Sequence, residues 1–96
     1  MELSEFKISI AEKKVPEGIS VHLRALWLDA SGDWQRAHDL IDQRTDRSSA
    51  ALHAYLHRKE GDQWNADYWY SRAGKKRFQG TLEEEWEELT AYFLGK

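Results

Sequence analysis

The apolar residues of this chain fall in stripes at helical spacing, separated by short polar breaks. Ile19, Leu23, Leu26, Trp27 and Ala30 recur every three to four positions and predict a helix over 19–30. Ser31-Gly32 ends it, because glycine takes the left-handed C-cap conformation without steric cost. Asp33 is the next N-cap, its carboxylate placed to accept from free backbone N–H groups, and Trp34, Ala37, Leu40 and Ile41 form the second stripe. Thr45-Asp46-Arg47-Ser48 offers several N-caps for a third helix with Ala51, Leu52, Tyr55 and Leu56 inside. Gly61-Asp62 repeats the Gly32-Asp33 device, and Ala66, Tyr70 and Ala73 follow as a fourth stripe closed by Gly74. A basic connector, Lys75-Lys76-Arg77-Phe78-Gln79-Gly80, leads to a capping box of Thr81 and Glu84. The last helix directs Leu82, Trp86, Leu89 and Phe93 inward and shows Glu83, Glu84, Glu85, Glu87 and Glu88 to water. Residues 3–14 fit two periods. Leu3, Phe6 and Ile10 make a helical stripe, whereas Phe6, Ile8 and Ile10 alternate as a strand would. A lone strand would have no partner, so a short helix starting near Ser4 is expected, ended by Pro16-Glu17-Gly18.

The two Gly-Asp turns are offset by 29 residues (61 − 32). Under that offset Leu23 meets Leu52, Ala25 meets Ala54 and Ala37 meets Ala66. The alanines belong where two helices joined by a tight turn approach closely, and such a unit needs a neighbour to cover its other side. In relative spacing Ala54, Gly61, Ala66, Tyr70 and Ala73 resemble a tetratricopeptide repeat. Tyr68-Trp69-Tyr70-Ser71-Arg72-Ala73 is similar to the second helix of a Sel1-like repeat. The first unit departs from the pattern at Arg44, where the last alanine belongs. A further resemblance covers about three quarters of the chain. It joins His53 through Asp62, Asn65, Tyr68 through Gly74, and the earlier Gly32-Asp33-Trp34 with Ala37-His38 to a group of small bacterial proteins of undescribed function. These likenesses imply an all-α fold of antiparallel helix pairs stacked as a short solenoid. The pairs span 19–45 and 48–74, and 81–94 forms a capping helix, within one domain over 1–96.

Composition narrows the setting. Hydrophobic residues make up 41% and charged residues 32% of 96, as in an ordinary globular domain. A net charge of −3 supplies no global attraction for nucleic acid or an anionic membrane. There is no cysteine, hence no disulfide, thiolate nucleophile or cysteine zinc site. The first residues lack the apolar run of a signal peptide and no segment reaches membrane-spanning length, so a cytoplasmic protein is expected.

Candidate chemistry concentrates between 53 and 72. His53 and His57, spaced i, i+4, share a helix face as two metal ligands would, with His38 and Glu60 as further donors. Ala54 after His53 rules out a His-Glu-x-x-His hydrolase motif. The favoured reading of these two histidines is that they are polar tips at a helix–helix seam, donating to backbone carbonyls or to Glu60. Three consecutive aromatics, Tyr68, Trp69 and Tyr70, sweep roughly 200° of helix surface and cannot share one face. Tyr70 belongs to the core stripe. Trp69 lines up with Asn65 and Arg72 on a mixed face suited to stacking and hydrogen bonding, but the favoured reading is that the helix is sandwiched between the preceding and the C-terminal helices, which take these aromatics between them. Arg72, Lys75, Lys76 and Arg77 form a basic cluster that the acidic last helix can neutralise. No phosphate loop, activated serine or isolated carboxylate pair marks an enzyme. The leading expectation is a non-enzymatic module that recognises a protein or peptide through His53, His57, Asn65, Trp69 and Arg72, without a cofactor. The alternatives are a metal or small-ligand site on His53 and His57, and self-association through the open end of the stack.

Overall fold

The computed structural model describes residues 1–96 and contains six helices and no strand. They are α1 (Leu3–Ala11), α2 (Val21–Ala30), α3 (Trp34–Ile41), α4 (Arg47–Lys59), α5 (Gln63–Ala73) and α6 (Leu82–Leu94). The ambiguity at the N-terminus resolves by burial. Phe6 is fully buried, Leu3 and Ile10 pack against the core, and Ile8 is exposed, so the helical stripe is the one in use. The helix starts earlier than Ser4 suggests, because Glu2 caps it and Glu5 returns the bond to the Glu2 backbone.

The two Gly-Asp turns adopt one conformation. Gly32 and Gly61 have φ of 93° and 90°, a region that favours glycine, and Asp33 and Asp62 each accept a backbone N–H of the helix they start. Asp46 caps α4 and Thr81 with Glu84 boxes the start of α6. Ser20, rather than Ile19, is the boundary of α2, its hydroxyl accepting from the Leu23 N–H.

Packing places α4 at the centre. Every residue from Ser49 to Leu56 is buried, so this helix is covered all round, by α3, α5 and α6. The pairs α2/α3 and α4/α5 make the most extensive contacts, with Ala25, Ala37, Ala54 and Ala66 fully buried. Short side chains there bring the backbones close. Helix α6 lies against α2 and α4 and also holds α1. Its Trp86 donates to the Leu26 carbonyl at 3.0 Å and meets Phe6 with ring centroids 6.1 Å apart. The radius of gyration, 12.5 Å, is about that of a folded chain of this length.

Two expectations need correction. Glu85 is not a solvated face residue but is 3% exposed, accepting from the Tyr70 hydroxyl at 2.6 Å and from Arg58 at 2.8 Å. A five-glutamate run cannot show which member faces a buried hydroxyl on another helix. The connector's Arg77 is neutralised by Asp67 on α5, at 2.6 Å, and not by α6. Asp29 is also buried, at 1% exposure, where Tyr55 (2.7 Å) and Lys59 (2.9 Å) satisfy both carboxylate oxygens. These two polar knots tie α4 to α2 and α6. No helix is long and apolar enough to cross a membrane.

A candidate metal centre of three histidines between two helices

Two polar pairs at i, i+4 spacing meet at the α3–α4 seam: His38 on α3 with Asp42 at its C-cap, and His53 with His57 on α4. Residues four apart lie one above the other on a helix face, so two such pairs facing each other gather four donors. The Nε2 atoms of His38 and His53 are 3.0 Å apart. Asp42 Oδ1 lies 3.6 Å from the first and 3.9 Å from the second. His57 brings its ring into the group, and the three imidazoles each offer a nitrogen within 4.8 Å of the others.

The surroundings fix the rings. Trp34 stacks on His38 at 5.0 Å and anchors itself by donating to the Leu56 carbonyl at 2.8 Å. Trp69 stacks on His53 at 4.0 Å, and His53 in turn stacks on His57 at 4.8 Å. Glu60 takes the Nδ1 side of His57 at 2.6 Å, which leaves Nε2 as that ring's free nitrogen. A carboxylate on the outer nitrogen of an imidazole is the usual means of orienting a metal-binding histidine and raising its basicity.

Burial and charge act on His53 together. The residue is 2% exposed, and desolvation, followed by the neighbouring His38 and His57, lowers its pKa from the ordinary 6.5 to about 4, while Asp42 pulls the other way. His53 is therefore neutral at physiological pH, with the lone pair of one ring nitrogen available. Nδ1 of His38 and Nδ1 of His53 are buried without a hydrogen-bond partner. A buried polar atom left unpaired costs about 1–3 kcal/mol, and in both rings it is the nitrogen other than the Nε2 that meets its neighbour.

The donor set suits a borderline ion. Zinc–imidazole bonds of about 2.0–2.1 Å at a tetrahedral angle separate two ligand nitrogens by roughly 3.3 Å. The His38–His53 nitrogen pair is a few tenths of an ångström from that value. Three imidazoles and a carboxylate favour zinc, copper or nickel over magnesium or calcium, which prefer all-oxygen shells. A second, more exposed set, His57, Glu60 and Asp62, adjoins the first at the α4–α5 turn.

Of the five residues singled out from sequence, four form one continuous stack. His57, His53 and Trp69 lie ring on ring, and the Arg72 guanidinium sits 5.5 Å from the Trp69 centroid while donating to the Tyr68 hydroxyl at 3.0 Å. Asn65 stands apart, its amide and backbone N–H both turned to Asp62 at the start of α5. Sequence reasoning missed Asp42. Its i, i+4 spacing from His38, which the adjacent Asp39 lacks, was the available signal. It also missed Trp34 as a wall of the site.

Comparison with protein-family models, with curated proteins and with solved structures gives no match to this chain.

Proposed function

We propose that this protein binds one divalent transition-metal ion between α3 and α4, with zinc as the reference ion. His38, His53 and His57 are the nitrogen donors and Asp42 the carboxylate. The observation that carries this reading is the meeting of three imidazole nitrogens from two helices within 4.8 Å, with the Asp42 carboxylate 3.6 and 3.9 Å from two of them. Three histidines and a carboxylate complete a four-coordinate shell, the arrangement of a structural site rather than a catalytic one, which keeps an open position. The ion would tie α3 to α4, the junction between the two helix pairs, and Glu60 would hold the His57 ring in its ligating orientation. Metal-stripped protein titrated with zinc in a calorimeter should bind one equivalent and melt at higher temperature. At a free concentration a hundred times Kd the added stability is about 2.7 kcal/mol. The double variant His38→Gln/His57→Gln, altered at two partly exposed positions, should lose both effects. Unchanged stoichiometry and melting shift in that variant would refute the assignment.

A second reading is partner recognition by the helix pairs, arranged in the manner of a tetratricopeptide-like or Sel1-like stack with α6 as its cap. Its support is the outer side of α5, where Trp64 is 79% and Tyr68 46% exposed beside Arg72. Exposed aromatics next to arginine are the composition of binding hot spots. Trp69→Ala and Arg72→Glu, used in a screen for bound peptides or proteins, test it, and undiminished binding by both removes that surface. Mass in solution tests self-association.

A further inference from the structure

We infer that the cleft between the first turn of α4, the end of α5 and the last turns of α6 binds a small monocarboxylate with a short apolar body. This site shares no residue with the histidine centre and stands independently of the metal reading.

The cleft encloses about 230 Å³, below the roughly 300–1,000 Å³ of sites that take drug-sized ligands. Its floor is apolar and buried: Ala51 of α4, Ala73 of α5, and Leu89 and Phe93 of α6. The two alanines leave the space. Larger residues at 51 and 73 would fill it.

The rim is polar and mainly positive. Arg47 and Lys75 stand on it, and neither pairs with a carboxylate, unlike Arg58 with Glu85 or Arg77 with Asp67. The Arg47 guanidinium is placed by the end of α5, since a Cβ built on Gly74 would lie 3.5 Å from its Nη1. Ser48 and Tyr92 add two hydroxyls 3.3 Å apart. A positive environment registers on Tyr92, whose phenol is held below its ordinary pKa by hydrogen bonds from Lys96 and Ser48 and by the charges of Lys96 and Lys75. Glu88 lies on the same rim and offsets one of the two lining cations. The lining therefore carries one net positive charge over an apolar floor. That balance matches a single carboxylate with a hydrocarbon tail better than a doubly charged phosphate, which would find no use for the floor.

The test is an NMR titration of the ¹⁵N-labelled protein with hexanoate. Saturable shifts are expected at the amides around Ala51, Ala73 and Leu89. Lys75→Glu and Arg47→Gln, both exposed on the rim, should each weaken binding about tenfold or more while leaving the rest of the spectrum in place. Acetate, which has the charge without the tail, and hexan-1-ol, the converse, should each bind at least about tenfold more weakly. Inorganic phosphate should do no better than acetate. Shifts that fail to saturate or to localise, equal binding of hexan-1-ol, phosphate that matches hexanoate, or unaltered affinity in Lys75→Glu would each overturn the proposal.

Discussion

Lowering the pH should unfold this protein partly through His53, and the size of the effect follows from its burial. The unfolded chain protonates this imidazole near 6.5, and the folded protein only near 4. Between those values the unfolded state holds more protons, so stability is fully present at neutral pH and is lost as the pH falls through the window. Taking His53 alone, the loss from about pH 7.5 to about pH 5 is on the order of 2 kcal/mol. For a domain of this size that is a fall in Tm of roughly 8–16 °C. The assay is denaturant or thermal unfolding of metal-free protein, followed by circular dichroism at both pH values, with His53→Gln alongside. Glutamine reaches His38 with a hydrogen-bonding group and does not titrate in this range. His22 is likewise held below its ordinary value, chiefly by burial, but it titrates in both proteins and cancels from the difference. The variant should lose about 2 kcal/mol less than the parent over the same window. Equal losses in the two proteins would refute the claim that His53 is buried and neutral. Because zinc competes with protons for the same nitrogens, saturating metal should also steepen the acid loss in the parent.

Four further outcomes are expected. Glu60→Gln removes the charge that orients His57 and should lower zinc affinity about 10–100-fold by calorimetry, with the stoichiometry kept. Arg58→Ala strands the carboxylate of Glu85, buried at 3% exposure, and should cost about 3 kcal/mol in urea unfolding. Ala66→Leu inserts bulk at a fully buried position of the α4/α5 seam and should cost about 1–3 kcal/mol, whereas Trp64→Ala on the exposed side of the same helix should change stability by no more than about 0.5 kcal/mol.

What the sequence determined by itself is local. A stripe at helical spacing reports one face of one helix, and Asp33, Asp62, Thr81 with Glu84, and Gly74 act through the backbone next to them, so each was legible where it stands. The alanine seams followed from the repeat for the same reason, since a tight turn forces its two helices together. Residues 3–11 were the exception within that range, because Leu3, Phe6, Ile8 and Ile10 satisfy two periods and only the core shows that Phe6 is needed inside and Ile8 is not.

Tertiary structure decided which polar residues are buried and which helices share a site. Glu85 reads as a surface acid until Tyr70 and Arg58 come to it from elsewhere in the chain, and Asp29 is buried by Tyr55 and Lys59 in the same way. His53 and His57 were visible as a pair from their spacing alone. That they face His38 and Asp42 depends on how α3 rotates and slides against α4, and no periodicity carries that information. The packing of α5 on α4 puts Trp69 against His53, while Asn65 stays with Asp62 at the start of its own helix. The histidine centre belongs to the packing of two helices whose sequences, taken separately, each show only half of it.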